Sequence, residues 1–85
     1  MLRMAKVPAF DPEAAGAAYL YAVMADHIAA RIAAGELKVG SRLPGERDLA
    51  QEYRVAIGTA RRAVEELRDR GLVVTLPAKG TYIAS

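Results

Sequence analysis

The sequence predicts a mainly α domain closed by a small β-hairpin, an α+β arrangement of three helices followed by two strands. Three observations predict it. Apolar residues recur at helical spacing in three separate stretches between residues 18 and 70. Each stretch is closed by a glycine or a short break. The C-terminal LVVTLPAKGTYIAS then changes period, giving two β-rich runs on either side of a Pro-Ala-Lys-Gly connection.

The totals agree with one small domain. Eighty-five residues leave room for a single modest core, and 53% hydrophobic residues with 26% charged residues describe a globular chain. Only 6% are aromatic, so the core is expected to be aliphatic. There is no cysteine and only one histidine, His27, which excludes disulfides and thiolate metal sites, and no metal or cofactor is expected. Neither a signal-length apolar run nor a stretch of roughly 20 apolar residues is present, so the expectation is a soluble, cytoplasmic protein with no membrane partner. A net charge of +2 does not by itself identify a partner, so the placement of the charges has to decide.

Residues 1–17 carry Pro8 and Pro12 and no apolar period, and read as an N-terminal arm, with Asp11 and Pro12 fit to open a helical end. Residues 18–85 form the domain. From Ala18 to Ala34, the residues Tyr21, Met24, Ala25, Ile28 and Ile32 line one helix face, and Gly35 closes it. His27 lies beside that stripe and reads as a boundary or surface residue. The four tyrosines, 19, 21, 53 and 82, read as core rather than stacking platforms. Glu36 to Pro44 reads as a turn and a brief extended segment, fit to supply a small third strand. Gly45 to Tyr53 is a two-turn helix with Leu49, Ala50 and Tyr53 on its apolar side. After a break at residues 54–57, a helix over about 58–70 buries Ala60, Ala63, Val64 and Leu67 and turns Arg61, Arg62, Glu65, Glu66 and Arg68 outward. Gly71 is its terminator, and strands follow at 72–76 and 81–84.

A two-turn helix, a short break and a longer helix with a basic start describe a helix-turn-helix, whose second helix fits a major groove about 12 Å wide. That spacing alone also describes an ordinary helical corner. The hairpin separates the two readings, because a wing tipped by Lys79 and Gly80 directly after the second helix is placed beside the backbone or minor groove of the same duplex. The fold is therefore read as a winged helix-turn-helix, with the wing at about 76–81.

With these elements placed, LPGERDLAQEYRVAIGTARRAVEELRDRGLVVTLPAKGTYIA resembles the N-terminal winged-helix domain of GntR-type bacterial transcription regulators. YAVMADHIAARIAAGELKVGSR fits the same family's first helix and turn. The resemblance covers about residues 19 to 84, and its combined LPxER, TxRRAVxxLxxxGLV and KGTYI motifs are specific.

The resemblance implies a DNA-binding transcription regulator, a repressor type without enzymatic activity. It implies that Arg47 of the LPxER motif reaches base edges or phosphate, for which a guanidinium fork is well suited; the alternative is an exposed arginine paired with Glu46 or Asp48. It also implies operator contacts from Ile57, Gly58, Thr59 and Arg61, with Arg62 as the less certain neighbour. Thr59 either meets phosphate at the helix start or acts as a simple cap. Arg61 and Arg62 are solvated or DNA-bound, with Glu65 or Glu66 within i, i+4 reach. Lys79 and Gly80 complete the DNA-binding set.

Four departures from the family pattern carry expectations. Ala56 and Ile57 stand where many relatives have serine then arginine, removing a polar cap and a base-reading cation; Ile57 can still meet a thymine methyl. Arg54 stands where glycine is common, so that either the turn differs or strain of about 1 kcal/mol is tolerated. Ala78 replaces a glycine in the wing, leaving Gly80 as the residue expected to take positive φ.

The expected partner is double-stranded DNA with a pseudo-palindromic operator, read by a homodimer with half-sites about 34 Å apart. No small-molecule effector site is expected within the chain. It reads either as a minimal regulator, favoured by the starting methionine and the arm, which then helps dimerisation, or as a fragment of a longer one. The rival reading is a winged-helix protein-interaction module without operator binding.

Overall fold

Three helices pack around one aliphatic seam and a two-stranded hairpin closes its end. The computed structural model describes residues 7–13 and 19–84. The helices are α1 (Leu20–Ala33), α2 (Glu46–Tyr53) and α3 (Ile57–Asp69), and the strands are β1 (Val73–Leu76) and β2 (Gly80–Ile83). The opening expected of the arm's helical end, Asp11 and Pro12, lies in a turn in which Glu13 N–H donates to Asp11 Oδ1 at 2.9 Å, and residues 14–18 fall outside the described ones.

The periodicity buries what it predicts. Met24, Ala25, Ile28 and Ile32 of α1 meet Leu49, Ala50 and Tyr53 of α2 and Ala60, Ala63, Val64 and Leu67 of α3, with Leu43, Val73 and Ile83 completing the core. Each fully buried aliphatic side chain contributes about 1.5–3 kcal/mol. Ala60 and Ala63 are wholly buried on the core face of α3, and their small size brings that helix close to its neighbours.

β1 and β2 pair antiparallel, Val73 opposite Ile83 and Leu76 opposite Gly80, around the three-residue loop 77–79. The small third strand exists as an isolated bridge of Arg42 to Tyr82. Backbone hydrogen bonds from Leu43 N to Thr81 O (2.8 Å), Ile83 N to Ser41 O (2.9 Å) and Gly40 N to Ile83 O (2.8 Å) fasten it to β2. Only Val73 and Ile83 of the hairpin reach the core, so its outer half projects freely.

Of the two strained positions, Arg54 follows one of its two expected outcomes and Ala78 departs from expectation. Arg54 accepts the left-handed region, φ 58° and ψ 46°, as the C-cap of α2. In the wing both Ala78 (φ 64°) and Gly80 (φ 125°) are positive, so Gly80 does not carry the turn alone. Lys79 N–H donates to Leu76 O at 3.0 Å, closing a β-turn with Pro77 at its second position and Ala78 at its third, where a turn of this kind takes positive φ.

The expectation of a core place is corrected for three tyrosines. Of the four tyrosines only Tyr53 is core; Tyr19 is 71% exposed at the N-cap of α1, and Tyr21 and Tyr82 are half-buried. Tyr21 lies at the edge of the α1 stripe and Tyr82 on the hairpin beyond the core. His27 is half-buried, at the boundary as expected, and it joins Phe10 and Tyr53 in a ring cluster with centroids 4.9–5.6 Å apart. Its ring nitrogens lie 2.8 Å from the Tyr53 hydroxyl and 2.7 Å from the Pro8 carbonyl. Because that carbonyl only accepts, the neutral ring carries its proton on Nε2. Nδ1 then accepts from Tyr53, whose oxygen accepts from Arg31 at 3.0 Å. The arm is thereby tied to α1 and α2.

Two stability predictions follow from these contacts. Arg54→Gly relieves the left-handed strain and raises the urea-measured unfolding free energy by up to about 1 kcal/mol, the gain being reduced by glycine's greater unfolded-state entropy; a loss of stability contradicts the turn assignment. Burial pushes the Tyr53 hydroxyl above its ordinary range, opposed in part by Arg31. The folded chain therefore holds this proton to higher pH than the unfolded chain, so its contribution is complete below about pH 10 and is lost as pH rises further. Tyr53→Phe is expected to cost about 1–3 kcal/mol near neutrality, because His27 and Arg31 lose a partner. It should also flatten the alkaline fall in stability, and an equally steep fall contradicts the account.

Candidate nucleic-acid interface

The outward face of α3 and the residues flanking its start form the candidate surface. The turn through Arg54 sets α2 and α3 so that Arg47, Ala50, Gln51, Val55 and Ile57 line one shallow depression. Arg47 and Ile57 are thus brought together. Arg47 is exposed and forms no ion pair among the described residues, so the alternative pairing with Glu46 or Asp48 does not occur. Ile57 is 39% exposed, and nothing lies within 4 Å of where a Cβ on Gly58 would stand.

The start of α3 is uncapped. Its N-cap is Ala56, with extended backbone and no side-chain hydrogen bond. Thr59 is therefore not the cap; it lies half-buried in the first turn. No acidic residue stands in that turn, so its free N–H groups present the positive end of the helix dipole to solvent.

The two arginines of α3 part company. Arg61 is about half exposed and its Nε lies 3.2 Å from Glu46 Oε1, at the start of α2. Arg62 turns to the other flank, its guanidinium 4.0 Å above the Tyr21 ring of α1. Neither uses the expected i, i+4 partner; Glu66 instead pairs with Arg70 at 2.9 Å, and Arg70 also reaches Asp26 at 2.8 Å. The crossing of α2 over α3 puts Glu46 beside Arg61, fifteen residues away in sequence. The structure thus sets Arg47 beside Ile57 and Arg61 beside Glu46, both along α2, and turns Arg62 toward α1.

The wing stands on the same side as Arg61. Arg68 Nε donates to Thr75 Oγ1 at 3.2 Å, and Thr75 is bonded across the hairpin to Thr81 at 2.9 Å, tying α3 to the hairpin one pair below its loop-closing pair. Lys79 is exposed at the tip, while Gly80 is half-buried. A Cβ on Gly80 would meet Arg42 Nε at 2.6 Å. The sequence names Glu46 only as an alternative partner of Arg47, and its only signal for Arg42 is a cation immediately before the LPxER motif. Among the described residues no cluster of three or more His, Asp or Glu is placed to hold a metal, and no helix is long and apolar enough to cross a membrane.

Comparison with known proteins agrees with this geometry. The chain is 37% identical over 68 residues to the HTH-type transcriptional regulator SmoD of Agrobacterium fabrum, covering 80% of this chain and 29% of that protein. It is 39% identical over 64 residues to the mannosyl-D-glycerate transport/metabolism system repressor MngR of Escherichia coli, covering 75% of this chain and 27% of that protein. It therefore spans less than a third of either relative. Among solved structures, YtrA from Sulfolobus acidocaldarius, a GntR-family transcription factor, superposes with a TM-score of 0.78 at 31% identity over 92% of this chain and 82% of that one. The AraR DNA-binding domain in complex with operator ORX1 gives 0.70 at 30% identity over 75% of this chain and 77% of that one. The family model for bacterial regulatory proteins of the gntR family matches residues 20–83, and the chain belongs to the GntR family as its winged helix-turn-helix DNA-binding domain.

Proposed function

We propose that this chain is the operator-reading head of a cytoplasmic transcription repressor, with α3 in a major groove and the wing on the adjacent backbone or minor groove. The observation that carries the reading is that Arg47, the uncapped start of α3, Arg61 and the Lys79 wing tip are all exposed. Together they supply what a duplex requires: cations and helix-start N–H groups for phosphate, and a short-side-chain start that approaches base edges closely.

Arg61 reads a base in this scheme, with Ile57 against a thymine methyl and Gly58 allowing close approach. Arg47 and Thr59 meet phosphate, and Lys79 with Gly80 contacts the next groove. Arg62, held over Tyr21, serves phosphate on the α1 flank. Two copies bind a pseudo-palindrome, one per half-site. The solved AraR domain with operator DNA supports this arrangement, and the chain carries no catalytic role in it.

Titration against the DNA upstream of its own coding sequence and a scrambled duplex, at several salt concentrations, tests the reading. Tighter binding to the upstream duplex with a negative salt slope is expected. Equal affinity for both duplexes, or no slope, overturns it and favours a protein-binding module. Arg61→Ala should cost about 1–3 kcal/mol and relax preference at one base pair, whereas unchanged affinity returns Arg61 to a merely solvated face.

A further inference from the structure

The phosphate strand that separates a major groove from its neighbouring minor groove has to pass between a helix lying in the first and a hairpin reaching the second. In this fold a cleft lies at that place, lined by Arg42, Glu46, Val64, Gly80 and Thr81. Arg42 is exposed and is held in register by its bridge to Tyr82. Its guanidinium lies across Gly80, where a Cβ would stand 2.6 Å from Nε and 3.2 Å from Cζ. Arg31, Arg61 and Arg70 are all ion-paired, but Arg42 has no carboxylate partner among the described residues. Glu46, the acid lining the cleft, is engaged by Arg61. Asp48, which lines an adjoining depression with Arg42, forms no ion pair with it.

We propose that Arg42 is a phosphate-binding residue of this surface, clamping the backbone strand that runs between the two grooves. Gly80 is then needed at the loop-closing pair of the wing because its missing side chain gives the guanidinium its seat. The positively charged fork is pre-set by the wing, so little rotamer freedom is lost on contact. Sequence preference does not enter, since phosphate oxygens are the same at every step. The inference rests on the duplex-binding reading above.

The test titrates the wild-type chain, Arg42→Ala, Arg42→Gln and Arg42→Lys with the upstream and scrambled duplexes across a salt series. Arg42→Ala should weaken both duplexes alike, by about 3- to 10-fold at fixed salt, and reduce the slope of log K against log salt by about 0.9, the value for one phosphate. Arg42→Gln keeps a polar stem over Gly80 without the charge and should show the same reduced slope, whereas Arg42→Lys should keep the wild-type slope. If the charge-free variants retain wild-type affinity and slope, or lose affinity for the upstream duplex alone at unchanged slope, Arg42 is not a phosphate clamp. If the wild-type chain binds neither duplex, the duplex reading fails and Arg42's role fails with it.

Discussion

Everything the outer face of α3 can do depends on how its inner face is buried. Ala60, Ala63, Val64 and Leu67 are almost wholly enclosed by α1, α2 and the first residue of β1. Burying that stripe fixes the rotation of α3 about its own axis, and with it which residues face outward. A polar substitution on the stripe would lose the core and the recognition face together. The packing also orients the hairpin, because Val73 and Ile83 insert into the same core and leave the rest of the wing projecting.

Electrostatics then divides the outward cations into held and free. Arg61 is held by Glu46 across the α2–α3 crossing, and such an exposed pair contributes about 0–1 kcal/mol. A bidentate contact to guanine discriminates by about 1–3 kcal/mol, so the ion pair positions Arg61 without preventing transfer to DNA. Arg62, Arg31 and Arg70 are held on the far side by Tyr21 and carboxylates, where they join α1 to its neighbours. Arg42, Arg47 and Lys79 remain uncommitted among the described residues, and together they flank the start of α3 and the wing.

The sequence was legible wherever local periodicity decided the outcome. Helix stripes, the glycine stops at Gly35 and Gly71, and the change to strand period depend on neighbours within a turn or two, and each appears within a residue or two of its predicted place. Pairings across a crossing were not legible. An i, i+4 rule points Arg61 and Arg62 at Glu65 and Glu66, but the partners are Glu46 and Tyr21, set by interhelical geometry that periodicity does not encode. The partners of His27 were not legible for the same reason, since Pro8 and Tyr53 both come from other segments. Ala78 was misjudged because loop closure can force a left-handed residue even where glycine stands two positions on.

The central claim is that α3 and the wing engage one duplex through one continuous face. Amide chemical-shift mapping during titration with the upstream duplex tests it most directly. The account predicts shifts concentrated at Arg42, Arg47, Ile57, Gly58, Arg61, Lys79 and Gly80, with the Phe10, His27 and Tyr53 cluster unmoved. Shifts centred on that cluster, with the start of α3 and the wing unmoved, would contradict it.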